Sequence, residues 1–123
     1  MNDKEKFEKK KKVEDCFLMS TGGEQYFRHR GKAIFTSGVW RVAEEAGAYW
    51  LIDAIFSYGR KEEFQVWHLD VVGSKAWLTM QEDTDAPVLV RQEIEFTDFP
   101  EGQWKFYLVV NPDQAVLMVP NEY

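Results

Sequence analysis

The longest apolar stretch of the chain, residues 37–59, most constrains the fold. It reads SGVWRVAEEAGAYWLIDAIFSYG and contains no proline, so it is the one segment that can form a substantial helix. Thr36 or Ser37 can supply an N-cap hydroxyl, and Gly59 stands where a glycine commonly ends a helix. At about 100° per residue its apolar side chains point in several directions. We therefore expect this helix to be buried on more than one side.

Two residues interrupt the apolar character of this helix. Gly47 costs about 1 kcal/mol relative to alanine, and it indicates a kink, a break into two shorter helices, or a close approach by a neighbour. Asp53 is the one charged residue between Gly47 and the end of the segment. Its structural interpretation is a loop cap or a partner for arginine. Its functional interpretation is a carboxylate in a stripe with Glu45 and Tyr49, which lie at spacings of four.

After residue 63 the apolar pattern changes from a helical period to alternation, which predicts strands. Gly73 and Ser74 fit a two-residue hairpin turn of type II′. In the register that this turn sets, the apolar faces of the two strands coincide. The predicted pairs are Val71 with Ala76, Leu69 with Leu78, and Trp67 with Met80. Further strands are predicted around residues 88–96, 104–108 and 115–119.

The strand around residues 88–96 places Val88, Val90, Ile94 and Phe96 on one face. Gln92 interrupts that face. If it is buried, we expect it to find a hydrogen-bond partner.

Five antiparallel strands with one apolar face need a cover, and the central helix can supply it. The sequence therefore predicts a single two-layer α+β domain over residues 16–123, a five-stranded antiparallel meander covered by a central helix. Residues 1–15 are predicted to be a charged tail, helical or disordered. Residues 20–23 are predicted to be a loop or helix start, and residues 24–35 to be one or two short extended pieces around Gly31.

The 123 residues carry a net charge of −6, distributed unevenly. Residues 1–15 hold six lysines against five acids, and the remainder holds nine basic against sixteen acidic residues. An acidic body argues against a nucleic-acid partner, because phosphates need a basic footprint. It permits a basic protein partner or mimicry of a nucleic acid's charge, and its structural interpretation is solubility. A single cysteine, Cys16, excludes an internal disulfide and indicates a reducing, cytoplasmic compartment. No segment has the roughly 18 uninterrupted apolar residues that span a membrane.

The sequence contains no established motif for catalysis or metal binding. The two histidines, His29 and His68, form no ligand-spaced pair, so we predict neither a metal nor another cofactor. There is no G-x-S-x-G nucleophile motif and no phosphate-binding glycine loop. The competing hypothesis is a small hydrolase or nuclease that uses Arg28, His29, Glu45 and Asp53 around the helix.

Two groups of polar residues are candidate binding surfaces. Arg28, His29 and Arg30 form a concentrated positive patch outside the tail. Their structural interpretation is a solvated edge, and their functional interpretation is an anion site beside the helix start at Ser37.

The second candidate surface is the outer face of the predicted sheet. The register places His68, Asp70, Trp77 and Arg91 on this face of three neighbouring strands. The structural interpretation is a solvated face with cross-strand pairs worth about 0.2–1 kcal/mol each. The functional interpretation is a partner surface anchored by Trp77.

Four motifs carry a family resemblance: EQYFRH, AEEAGAYWLIDAI, FQVW and VRQEIEFTDFP. They resemble small uncharacterised bacterial proteins, many borne on phages and plasmids, that are grouped as a domain of unknown function. The resemblance runs from about Gln25 to Tyr123 and leaves the lysine-rich tail outside. It implies a cytoplasmic setting and a mobile-element role, such as interference with host defence, but no activity.

These observations favour a non-enzymatic interaction module that binds a macromolecular partner, namely a protein. The acidic body, the high aromatic content and the lack of a catalytic motif all support it. An unpaired edge strand would also allow two copies to join their sheets as a homodimer.

Overall fold

The computed structural model describes residues 2–19 and 25–123, so the loop predicted at residues 20–23 lies outside the described residues. The helices are α1 (Asp3–Met19), α2 (Ser37–Ala46) and α3 (Tyr49–Ser57). The strands are β1 (Tyr26–Arg30), β2 (Ala33–Thr36), β3 (Phe64–Val72), β4 (Lys75–Gln81), β5 (Val90–Ile94), β6 (Gly102–Val110) and β7 (Ala115–Met118). A 3₁₀ turn, Pro120–Glu122, follows β7.

The described strands form one seven-stranded sheet in the order β1-β2-β7-β6-β3-β4-β5. The α+β class is confirmed, and the five predicted strands are present as β3–β7 with antiparallel pairing among them. The sheet differs from the prediction in having seven described strands and in an order that is not that of a meander. The β1–β2 hairpin extends the sheet, and β2 pairs with β7 in parallel. The other neighbouring pairs are antiparallel. In the predicted meander one edge of β7 stays unpaired, and the hairpin satisfies its backbone groups.

The β3–β4 hairpin has the predicted register, with Val71 opposite Ala76, Leu69 opposite Leu78, and Trp67 opposite Met80. The turn glycine, Gly73, has a φ of 63°, in the left-handed region that such a hairpin turn requires. The six paired side chains in this register are all buried. The prediction of this register from the matching apolar faces of the two strands is therefore confirmed.

The central helix is broken in two at Gly47, which is one of the three interpretations of that glycine. Thr36 caps α2, and its hydroxyl oxygen accepts a hydrogen bond from the Val39 N–H at 3.3 Å. Gly47 ends α2 with a φ of 64°, and its N–H donates to the Ala43 carbonyl. After residue 48 the chain begins α3, so the side chains before and after the break lie on different helix axes.

Helix α1 extends through the lysine-rich segment and beyond it. Val13 is fully buried, and the Phe17 ring lies 5.4 Å from the rings of both Trp104 and Phe106. Leu18 is exposed at the end of the helix. The predicted charged tail is thus helical, and α1 packs on the same face of β6 as the other helices.

The core lies between the sheet and the three helices. The two layers enclose a cavity of only about 10 Å³, lined by α2 and α3 residues together with Phe99, Phe106 and Leu117. This small volume indicates close packing.

Strand β5 is shorter than the predicted strand. Val88 and Phe96 lie outside it and are 45% and 71% exposed, so their predicted place on the inner face is wrong. Half-buried Gln92 accepts a hydrogen bond from the Tyr58 hydroxyl at 2.6 Å, which satisfies the predicted need for a partner.

Candidate functional site

The fold brings His29 and Asp53 together. His29 lies on β1, Asp53 on α3, and the His29 Nε2 and Asp53 Oδ1 atoms are 2.6 Å apart. The His29 ring also packs against the Phe56 ring, with 5.0 Å between centroids. The Asp53 side chain is 71% exposed, whereas that of His29 is 23% exposed. The two candidates therefore form a pair that is open to solvent mainly on its carboxylate side.

The geometry of this pair limits the chemistry it can perform. One nitrogen of His29 is engaged with Asp53, and the other, Nδ1, is buried without a hydrogen-bond partner among the described residues. A general base must bring a free nitrogen within hydrogen-bond reach of its substrate. In this arrangement neither ring nitrogen of His29 is a free base, and the exposed part of the pair is the Asp53 carboxylate.

Glu45 does not join Tyr49 and Asp53 in a stripe, although Tyr49 and Asp53 lie four residues apart on α3. A spacing of four places side chains on one face only within a continuous helix, and the helix ends at Gly47. The Tyr49 hydroxyl instead donates to the carboxylate of Glu44, and this hydrogen bond raises the pKa of the Tyr49 phenol.

Glu45 lies towards α1. Burial, followed by the negative charge of Glu45, raises the pKa of the Cys16 thiol. Of the proposed hydrolase set, His29 and Asp53 meet directly, whereas Glu45 acts electrostatically on Cys16 of α1.

The anion site predicted beside the start of α2 is filled by the chain itself. Glu122 accepts a hydrogen bond from the Thr36 hydroxyl at 2.5 Å and from the Gly38 N–H at 3.2 Å. A carboxylate at a helix N-terminus satisfies the free N–H groups and the positive end of the helix dipole. Arg28 is paired across the β1–β2 ladder with Ile34 and is exposed. The place of the predicted external anion at the start of α2 is therefore occupied by the Glu122 carboxylate.

Arg30 lies on a groove that crosses one end of the sheet, here called the strand-end groove. The groove has a volume of about 1420 Å³. Its charged and ionisable lining includes His29, Arg30, Lys32, Asp53, Arg60 and Lys61. The sequence predicted part of this cluster, but it did not predict that residues 60 and 61 would lie on the same groove as the β1–β2 turn.

The other candidates, His68, Asp70, Trp77 and Arg91, form one surface, here called the sheet-face patch. The ladder places Thr79 between His68 and Arg91, and it places Asp70 directly opposite Trp77. This adjacency confirms the predicted register of three strands. Trp77 is half-buried, and Arg91 is exposed.

His68 lies on β3, at one side of the sheet-face patch. Its Nε2 atom is buried without a hydrogen-bond partner among the described residues. Burial, together with the positive charge of Lys105 on β6, lowers the pKa of His68. The negative charge of Asp70 and a hydrogen bond with Gln81 act in the opposite direction. The net effect keeps the imidazole neutral over a wider pH range.

The comparison with models of protein families supplies the classification. A model described as a family of unknown function, DUF6876, matches residues 11–123. The chain belongs to the DUF6876 family. The match begins before Gln25, the start expected from the sequence motifs, and includes the C-terminal half of α1. Neither the search of curated proteins nor the search of solved structures found a match.

Two features are absent from the part of this DUF6876 chain that the structure describes, residues 2–19 and 25–123. No three His, Cys, Asp or Glu side chains among them converge where they could hold a metal ion. Among the same residues no helix has the length and apolar character needed to cross a membrane.

Sequence reasoning missed one feature of the DUF6876 sheet, an apolar region beside the sheet-face patch. Phe64, Tyr107 and Tyr123 form a cluster with ring centroids 5.0–5.6 Å apart. Val66 lies opposite Tyr107 and is buried, although it points away from the helical layer. The sequence contains a signal for this apolar region. Residues 64 and 66 are apolar, although they occupy the strand positions that face away from the helical layer.

Proposed function

We propose that this chain is a non-enzymatic interaction module that binds a protein partner with the outer face of its sheet. One observation carries the proposal. The three α-helices pack on one face of the sheet, and the opposite face has no α-helical layer over it in the described part of the chain.

The composition of the uncovered face supports a protein partner. One half holds the sheet-face patch, and the other half holds an apolar region with half-buried Phe64, Tyr107, Met118 and Ile34. An antiparallel sheet face that meets only water is usually polar at these positions. Tryptophan, tyrosine and arginine are the side chains most enriched at the energetic centres of protein interfaces.

The charges of the sheet-face patch favour a specific partner. Lys75 and Glu93 form an ion pair at 3.1 Å at its border, while Arg91 is exposed. Exposed charges beside a half-buried tryptophan fit an interface with an apolar centre and a polar rim. The acidic body adds long-range attraction for a basic partner.

The proposal includes a cytoplasmic setting and a role for a mobile element, such as interference with host defence. The single cysteine supports a reducing compartment. The resemblance to phage- and plasmid-borne proteins supports the mobile-element role, and this support is by analogy.

The competing proposal is a small hydrolase or nuclease, and the approach of His29 to Asp53 at an open groove favours it. Against it stand the enclosed His29 Nδ1 atom and the separate position of Glu45. An Asp53→Asn variant that abolishes hydrolysis of a model phosphodiester or ester by the pure protein would revive the enzymatic proposal.

The test is affinity capture of the tagged chain from its natural host, followed by native mass spectrometry. The wild-type chain should retain a stoichiometric protein, and Trp77→Ala should lose it. Trp40→Ala is the matched control, because Trp40 is also partly exposed but lies on α2, where it stacks on Phe27.

A second variant separates binding from folding. Arg91 is exposed, so Arg91→Glu should weaken capture while leaving the thermal unfolding temperature unchanged. If folded Trp77→Ala and Arg91→Glu both retain the same partner as the wild type, the sheet face is not the interface.

A further inference from the structure

We propose that the strand-end groove binds an extended acidic segment of a protein. This site is separate from the sheet-face patch, although Phe64 and Tyr123 belong both to the groove lining and to the apolar region beside that patch. The groove is framed on one side by the end of α3 and on the other by strand ends and the loop between β6 and β7.

The length of the groove follows from the sheet order. Its lining includes Arg30 at the end of β1, Ala33 at the start of β2, Ala115 at the start of β7, Val110 at the end of β6 and Phe64 at the start of β3. These five strands are consecutive neighbours in the sheet. At about 4.8 Å between strands the groove is about 19 Å long, which matches about six extended residues at 3.3 Å each.

The volume also favours an extended ligand. A pocket for a compact small molecule typically has about 300–1,000 Å³. The strand-end groove has about 1420 Å³. It is also lined by apolar side chains of the sheet, including Phe64 and Val109, which can contact the side chains of a peptide.

The groove lining is net positive in an acidic protein, because four Arg or Lys side chains line it against the two carboxylates of Asp53 and Glu63. Arg30 and Lys32 flank the β1–β2 turn at one end, and Arg60 and Lys61 precede β3 at the other. The whole chain carries a net charge of −6, so this local excess of cations is not a general property of the surface. A cleft focuses the field of the charges that line it.

Two of the four cations are available to a ligand. Arg60 is engaged with Glu62 through hydrogen bonds of 2.7 and 3.1 Å, and Lys32 donates to the Pro112 carbonyl at 2.7 Å. The exposed side chains of Arg30 and Lys61 make no hydrogen bond or ion pair with another described residue. They stand at opposite ends of the groove, so the matching segment has acidic residues at both ends.

A peptide fits this charge pattern better than a single-stranded nucleic acid does. Asp53 and Glu63 also line the groove, and they would repel a backbone that carries one phosphate per nucleotide. A peptide can place neutral or apolar residues opposite these carboxylates and keep its acids at the ends. The favoured ligand is therefore an acidic segment with an apolar centre.

Fluorescence anisotropy with a labelled six-residue peptide, Asp-Glu-Val-Val-Glu-Asp, tests the proposal on the full chain. A peptide with lysine at the four acidic positions and a six-nucleotide oligothymidylate are the comparison probes. We expect binding of the acidic peptide only, weakening as salt rises because its contacts are charged. Equal or tighter binding of either comparison probe would overturn the proposal, and so would no binding of the acidic peptide.

The decisive variant combines Arg30→Glu with Lys61→Glu. It should lower the affinity for the acidic peptide by about tenfold or more. The control is Lys11→Glu with Lys12→Glu on α1, which changes the net charge equally at exposed positions outside the groove. Equal weakening by both variants would show a non-specific charge effect and would overturn the site.

The sheet-face variants Trp77→Ala and Arg91→Glu should bind the peptide like the wild type. A result that contradicts peptide binding in the groove can therefore be distinguished from a result that contradicts the sheet-face interface. In ¹H–¹⁵N spectra the peptide should shift the amides of residues 29–33 and 60–64. Shifts confined to the sheet-face patch would contradict the groove.

Discussion

The Thr36 hydroxyl donates to the Glu122 carboxylate at 2.5 Å, across 86 residues of chain. Thr36 is at once the N-cap of α2 and the last residue of β2. Glu122 also accepts from the backbone N–H groups of Gly38 and Val119. One carboxylate thus joins the start of the helical layer to the turn that follows β7, and it supports the parallel pairing of β2 with β7.

Removal of this carboxylate should destabilise the protein. Glu122→Ala should lower the free energy of unfolding by about 1–2 kcal/mol, because it removes a helix-terminal anion and leaves partly buried donors unpaired. Urea denaturation monitored by tryptophan fluorescence measures the change. The control is Glu95→Ala at an exposed position, which should change stability by less than about 0.5 kcal/mol. Equal losses in the two variants would contradict the role of Glu122.

The break between α2 and α3 depends on the backbone of Gly47. A Cβ atom at this position would meet nothing within 4 Å, so a substitution there costs only backbone strain. Gly47→Ala should destabilise the fold by about 1–2 kcal/mol, because its φ of 64° disfavours side chains. Gly47→Asn should lose less, because asparagine tolerates this conformation. Thermal unfolding of both variants measures these losses. An unfolding temperature of Gly47→Ala equal to that of the wild type would contradict the role of Gly47.

The sequence predicted the features that are set by local pattern. Alternation and turn chemistry gave the β3–β4 hairpin its register, and they placed Arg91 on the same face as His68. Thr36 was correctly assigned as a possible cap. These features involve residues that are close in the chain or paired through one short turn, so local propensity and burial decide them.

Features that depend on contacts between distant segments could not be predicted from the sequence. Nothing in the pattern of residues 33–36 shows that they pair with residues 115–118 in parallel, because a parallel partner is chosen by the packing of the whole chain. Glu122 as an internal anion was missed for the same reason. The His29–Asp53 pair was anticipated as a pair of candidates, but its geometry depends on how β1 docks against α3.

Gln65 is the most buried polar side chain of the sheet and should be costly to replace. It is fully buried, accepts from the Trp67 indole N–H at 2.9 Å, and donates to the carbonyls of Arg60 and Glu62. Gln65→Met has similar size but leaves these groups unpaired, so we expect a loss of about 2–3 kcal/mol in urea denaturation. Gln103→Met, at an exposed position of β6, is the control. A loss no larger than that of the control would contradict the network.

His68 should titrate below the ordinary histidine value. Burial and Lys105 lower its pKa from 6.5, against the opposing effects of Asp70 and Gln81. Lys105→Met should therefore raise the pKa of His68, and Asp70→Asn should lower it further. Titration of the His68 ring protons by NMR gives both shifts. A pKa that does not respond to Lys105→Met would exclude Lys105 as a cause.

The same shift makes the stability depend on pH. The folded pKa of His68 is lower than the unfolded value of about 6.5, so the unfolded state binds a proton more readily. This contribution to stability is fully present above about pH 6.5 and is lost as the pH falls towards the folded pKa. His68→Gln removes the titrating group, so its free energy of unfolding should fall less between about pH 7 and about pH 5 than that of the wild type. Parallel denaturation curves at the two pH values measure this difference. Because His68 belongs to the sheet-face patch, its protonation would add a positive charge beside Lys105, and capture of a basic protein partner should weaken over the same pH range.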